Sequence, residues 1–235
     1  MVGVAETAEA ALKRGASFPV HTTGSKAIDS LLGGGLRGGT LTVFYGRSNS
    51  GKTQLAMQAA MMCGDAGGKA LFVDTEGSFR PERVQEMARE RGKDAEAILG
   101  RIVYVRSDSV AEQMEAVRQM PVRPVTASCD LVVIDTLTRN FTVELPGRTN
   151  LSSRQGTLDV YLSEMARDAY RHSRAYLLTN RVTFGAVQDV GIGGKTVEQL
   201  VHRSMILERD GSAVRATLVP SGVRTTAEIG RRGID

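Results

Sequence analysis

The feature that most constrains this chain is a glycine-rich turn set between a strand and a helix. The apolar run Thr40–Tyr45 stops at Gly46, and from Lys52 the segment LAMQAAMMC continues without a breaker, which predicts strand, loop, helix. Across the junction, Gly46-Arg47-Ser48-Asn49-Ser50-Gly51-Lys52-Thr53 fits the pattern G-x-x-x-x-G-K-[ST] in the context that pattern requires. Glycine at both ends lets the backbone wrap closely, so that successive N–H groups point at phosphate oxygens, and the helix adds the positive end of its dipole. A loop of this kind suits a nucleoside triphosphate. Lys52 would reach the β- and γ-phosphates and assist their chemistry, the Thr53 hydroxyl would ligate the metal, and Gln54 would border the same nucleotide. The expected cofactors are ATP and Mg2+.

Three further runs, Ala70–Asp74, Ile102–Val105 and Leu131–Asp135, repeat the strand signature. Helical segments lie between them: Pro81-Glu82 opens one toward Arg91, and Val110, Met114 and Val117 mark one face of the next. A long polar loop is expected at Thr138–Ser153, then a helix from about Gln155 to Arg171 and a strand Ala175–Thr179. A Gly-rich stretch at Gly185–Gly194 and a hairpin turning at Asp210-Gly211 complete the order. Apolar strands alternating with helices imply an α/β fold with a mostly parallel sheet and helices on both faces, because such strands are buried on both sides. Its ligand belongs at the carboxyl ends of the strands. With 235 residues the chain fits one core, read as 21–235 behind an N-terminal segment 1–20.

Two carboxylates end such strands. Magnesium between phosphates wants an acid on a neighbouring strand, and Leu131-Val132-Val133-Ile134-Asp135 supplies Asp135. An acid in that place is otherwise a helix cap or turn residue, but the loop upstream selects the metal role. Glu76 falls just past the strand Phe72-Val73-Asp74, where it could orient and deprotonate a water for in-line attack on the γ-phosphate.

Composition narrows the setting. Cys63 and Cys129 are the only cysteines, one in an apolar helix pattern and one just before a strand, so buried thiols are expected rather than a disulfide or a metal site. No run approaches the roughly 20 apolar residues of a membrane helix, and the first residues lack a signal pattern, which points to the cytoplasm and to no membrane partner. The net charge of +4 is uneven: residues 1–138 hold 16 basic and 16 acidic side chains, residues 139–235 hold 14 and 10. An excess of that size is by itself a solvated face and does not establish nucleic-acid binding.

The segments HTTGSKAIDSLLGGGLRGGTLTVFYG, GKTQLA, VDTEGSFRPERV, LVVIDT, GRTNLSSRQ, LLTN and IGGKTVEQ together resemble the archaeal and eukaryotic branch of the RecA recombinases. Within it the chain is most similar to the short archaeal paralogues known as RadB, which consist of the core alone. The resemblance implies a RecA-like P-loop ATPase core with a C-terminal β-hairpin, acting in homologous recombination and repair. It implies that Glu76 is the hydrolytic carboxylate, that Arg83 stacks on the adenine, and that Arg148 and Arg154 lie in or beside a first DNA-binding loop. Gly185–Gly194 corresponds to a second DNA loop, with Lys195 at its far end. Where the family carries a polar amide that senses the γ-phosphate, this chain has Arg181, which would contact that phosphate or pair with Glu76. The N-terminal DNA-binding domain of full recombinases is expected to be absent, and Phe18-Pro19-Val20-His21 stands in place of their Phe-x-x-Ala joining segment.

The function expected is an ATP-dependent, DNA-binding accessory factor with weak DNA-dependent ATPase activity. Its partners would be DNA, read as single-stranded, a full-length recombinase or other repair proteins, and further copies of itself. Two alternatives stay open: a RecA-fold ATPase resembling KaiC that acts on protein partners without DNA, and an active strand-exchange recombinase.

Overall fold

The computed structural model describes residues 6–147, 149–183, 190–191 and 194–235. From the N-terminus the elements are α1 (Ala8–Ala16), β1 (Val20–His21), α2 (Lys26–Leu31), β2 (Leu36–Arg37), β3 (Leu41–Gly46), α3 (Lys52–Asp65) and β4 (Ala70–Asp74). Then follow α4 (Pro81–Glu90), α5 (Ala95–Leu99), β5 (Ile102–Arg106), α6 (Val110–Arg118), α7 (Pro124–Ala127), β6 (Leu131–Asp135), α8 (Arg139–Glu144) and α9 (Leu151–His172). The chain continues with β7 (Ala175–Thr183), β8 (Val190–Gly191), α10 (Gly194–Leu200), β9 (Arg203–Asp210), β10 (Ala213–Val219), β11 (Arg224–Gly230) and β12 (Gly233–Ile234).

The main sheet runs β12-β11-β10-β9-β3-β7-β6-β4-β5. Its centre is parallel, from β9 through β5, and its C-terminal flank is antiparallel. Every residue of β3, β4 and β6 is buried, as strands covered on both faces must be. The pleat divides them between two cores. Phe44, Phe72 and Val133 point toward α3 and α4. Val43, Val73 and Ile134 point toward α6 and α9, with Leu158, Tyr161, Leu162 and Met165 of α9 opposite.

Local chemistry sets the helix starts. Pro81 opens α4, Asp94 caps α5 by accepting from Glu96 and Ala97 N–H, and Ser109 caps α6 by accepting from Glu112 N–H. The segment expected as one polar loop at Thr138–Ser153 instead contains α8 and the first turn of α9. Asn140 and Phe141 of α8 are buried, Asn140 donating to the Ser107 and Ser109 carbonyls; tertiary burial outweighs a short polar stretch's weak helical pattern. The C-terminal hairpin turns at Asp210-Gly211 as expected, and β11 and β12 extend it. Gln58 of α3 holds that extension by pairing with Ile234, donating to its carbonyl at 2.8 Å and accepting from its N–H at 2.7 Å. In the N-terminal segment, Phe18 packs edge-on against Tyr170 of α9. Both cysteines are free and buried. No helix among the described residues is long and apolar enough to cross a membrane.

Candidate functional site

The carboxyl ends of β3, β4, β6 and β7 meet at one edge of the sheet. Asp74 and Asp135 are register partners, and so are Gly46 and Arg181. The loop Gly46–Gly51 leaves β3 here. A Cβ on Gly46 would run into the Ser50 side chain and the Leu207 carbonyl. Asn49 and Gly51 adopt left-handed backbone, φ 63° and 96°, and only glycine does so without cost. Gly51 is the N-cap of α3 and no side chain caps that helix, which leaves its first N–H groups for a ligand.

Lys52 lies beneath the loop at 7% exposure. Its ammonium donates to the carbonyls of Gly46 at 2.9 Å and Arg47 at 2.7 Å and to Ser50 Oγ at 3.2 Å. Burial pulls its pKa down; Asp135 and Glu76 oppose that effect and Arg181 adds to it. Asp135 is 1% exposed. Three hydroxyls donate to it: Thr53 at 2.9 Å, Ser78 at 2.8 Å, and Thr179. Burial raises its pKa, the three hydroxyl bonds work in the opposite direction, and the nearby charge of Glu76 raises it further.

Glu76 is carried by a loop that Asp74 organises. One carboxylate oxygen of Asp74 accepts the N–H groups of Glu76, Gly77 and Ser78 at 3.0, 2.8 and 3.1 Å, and the other accepts Phe79 N–H at 3.0 Å. Glu76 itself pairs with Arg181, whose Nη2 reaches Oε1 at 2.9 Å and Oε2 at 2.8 Å. Residues Asp74, Ser78 and Thr179 were not singled out from the sequence. Asp74 in the run Val73-Asp74-Thr75-Glu76-Gly77 was the available signal, since an Asp followed by a glycine-containing turn caps its own loop.

The other sequence-derived candidates are spread around this edge. Gln54 Oε1 accepts from Arg83 Nε at 2.9 Å, and Arg83 also donates to the carbonyls of Gly230 and Arg231 at 2.6 and 3.0 Å. That ties the face expected for adenine to the C-terminal extension. Arg47, Ser48 and Asn49 form the exposed tip of the loop, beside a cleft of about 490 Å³ that Ile206, Leu207 and Arg209 close from the far side. Arg154 is half-buried at the start of α9 and donates to the Leu145 carbonyl at 3.0 Å. Lys195 is exposed on α10. Arg148 and most of Gly185–Gly194 lie outside the described residues.

The donor set at Thr53 and Asp135 consists of hard oxygens, an un-ionised hydroxyl beside a carboxylate, which suits magnesium with one or two protein ligands and retained waters. Sequence comparison matches residues 16–199 to the family model Rad51. The chain belongs to the Rad51 family. Within that family it is similar to the DNA repair and recombination protein RadA of Ignicoccus hospitalis, 38% identical over 186 residues, an alignment covering 74% of this chain and 56% of that relative. The chain therefore spans little more than half the relative's length. The fold is that of a RecA-like core with a mostly parallel sheet and a C-terminal hairpin.

Proposed function

We propose that this chain binds ATP with magnesium at the β3–α3 loop and hydrolyses it slowly as a DNA-binding accessory factor in recombination and repair. The observation that carries the reading is the convergence of Lys52, Thr53, Asp135 and Glu76 on one edge of the sheet, from the start of α3, the end of β6 and the loop after β4. In this reading the loop amides and Lys52 hold the β- and γ-phosphates, and Thr53 and Asp135 hold the metal. Bound magnesium supplies charge neutralisation on the phosphates. Glu76 accepts a proton from water while the water oxygen attacks the γ-phosphorus and the bond to the β–γ bridging oxygen breaks, leaving ADP and inorganic phosphate. Arg83, with Gln54, borders the base.

DNA contact is assigned to Arg148, Arg154 and Lys195, because phosphate contacts supply most non-specific affinity. The accessory role is favoured over a self-assembled filament by the packing of Phe18 on Tyr170 of its own chain. The domain reading is a core at 21–235 with 1–20 as a segment attached to it.

The test measures ATP turnover with and without single-stranded DNA and with and without a full-length recombinase, alongside DNA affinity across a salt series. Stimulation by either partner is expected. Replacing Arg148 and Arg154 by Ala is expected to make the slope of log affinity against log salt less negative by about 1 to 2. Turnover indifferent to both partners, with no DNA retained at moderate salt, would overturn the reading in favour of an ATPase that acts on proteins alone.

A further inference from the structure

The β3–β7 register sets Arg181 beside Gly46, the first residue of the phosphate loop. From there its guanidinium crosses the mouth of the site and one nitrogen donates to both carboxylate oxygens of Glu76. Neither partner hangs on a loose segment. The Glu76 backbone is fixed by the Asp74 carboxylate. Arg181 N–H donates to Asn180 Oδ1 at 2.9 Å, and that oxygen also accepts the buried Thr138 hydroxyl at 2.7 Å. The pair therefore joins two strand ends of the central sheet. It is open to water, with side-chain exposures of 48% for Arg181 and 22% for Glu76, so a competing anion or salt can part it.

We infer that Arg181 restrains hydrolysis by holding Glu76 away from the attacking water, so that bound ATP is retained through long intervals between turnovers. This rests on the reading of Glu76 as the general base. A carboxylate takes a proton only through an oxygen that faces the water at hydrogen-bond distance. Here both oxygens already accept from one cation, which fixes the carboxylate's orientation and leaves the water only the lone pairs that Arg181 does not occupy. Arg181 also lies within the electrostatic reach of Lys52, so a γ-phosphate seated on Lys52 sits close to the same guanidinium. Once the pair parts, Glu76 is free and the water is split as above, its proton to Glu76 and its oxygen to phosphorus. Arg181 is thus a positioning residue whose partner decides whether the site is idle or active.

The experiment is single-turnover ATP hydrolysis and binding of a non-hydrolysable ATP analogue for Arg181→Gln, Arg181→Lys, Glu76→Gln and the Arg181→Gln/Glu76→Gln double variant. Arg181→Gln should raise hydrolysis by about tenfold or more, within the roughly 10²–10⁴ that a general base supplies, with analogue affinity changed by less than about threefold. Arg181→Lys keeps a cation beside Glu76 and should stay near the parent, a distinction that loss of bulk alone would not produce. In the Glu76→Gln background the Arg181→Gln gain should vanish, since the two act through one contact. A slower Arg181→Gln variant, or one that loses analogue affinity by about tenfold, overturns the inference and makes Arg181 a phosphate ligand. An equal gain in the Glu76→Gln background overturns it too. If Glu76→Gln alone hydrolyses ATP at the parent's rate, the base assignment fails and the restraint with it; if Glu76→Gln is slow but Arg181→Gln is no faster than the parent, only the restraint fails.

Discussion

The base of the strand-end cleft and its rim are built on opposite principles. At the base, Asp135 is almost fully buried and the side chains that hydrogen-bond to it are neutral: Thr53, Ser78 and Thr179 donate hydroxyl hydrogens to it. Hydroxyls satisfy a buried carboxylate without cancelling its charge, so the charge stays available to a cation. At the rim, Glu76 meets a full countercharge in Arg181, and both are open to water. An exposed pair of that kind contributes about 0–1 kcal/mol to stability and can be remade with a different partner. Under the proposed function, binding is thereby separated from turnover: the base fixes geometry, and the rim can be retuned without disturbing it.

Four measurements would break or sharpen that contrast. The largest effect is expected from Glu76→Gln at the rim, which should lower ATP turnover by about a hundredfold or more while leaving nucleotide affinity near the parent's. A parallel loss of affinity would show that rim and base are not separable. Next, Lys52→Ala at the base should weaken ATP binding by roughly 10- to 100-fold, the scale of one or two charge-assisted hydrogen bonds, in a nucleotide-fluorescence titration. Parent-like affinity would move the phosphate site elsewhere.

A smaller effect should come from Thr179→Val, which keeps the shape of a fully buried side chain and deletes one donor to Asp135. Urea unfolding should report a loss of about 1–3 kcal/mol, the cost of leaving a buried charged acceptor short of a partner. No change would mean that water replaces the hydroxyl and that the base is wetter than its burial indicates. The smallest belongs to Arg154→Ala, which removes a half-buried guanidinium from the Leu145 carbonyl; stability should fall by no more than about 1 kcal/mol, while DNA affinity drops with a shallower salt slope. A large stability loss with unchanged DNA affinity would reclassify Arg154 as a brace for the end of α8.

Strands β3, β4, β6 and the start of β7 are legible in the sequence, because buried parallel strands leave uninterrupted apolar runs bounded by turn residues. Gly46–Thr53 is equally legible, since its chemistry and its backbone requirements are contiguous. Helix α8 was missed because its burial comes from Ser107, Ser109 and Gln113, which lie well upstream and carry no local signal. Strands β11 and β12 escaped for the same reason, since Ile234 is held by Gln58, far away along the chain.

What the sequence determined by itself is the sheet-and-helix order, the phosphate loop, and the presence of acids at the ends of two strands, all set by local periodicity and backbone rules. Only the tertiary structure decided how those acids are used. Asp74 and Asp135 end similar strands and stand side by side in the register, yet Asp74 is consumed by its own loop's N–H groups and Asp135 is met by hydroxyls from three other segments. The same holds for Arg181, which the sequence left between phosphate and Glu76 and the fold sets against Glu76. The reason is physical: hydrogen bonds and ion pairs act over a few ångströms, so their partners are chosen by the strand register that brings distant residues together, not by spacing along the chain.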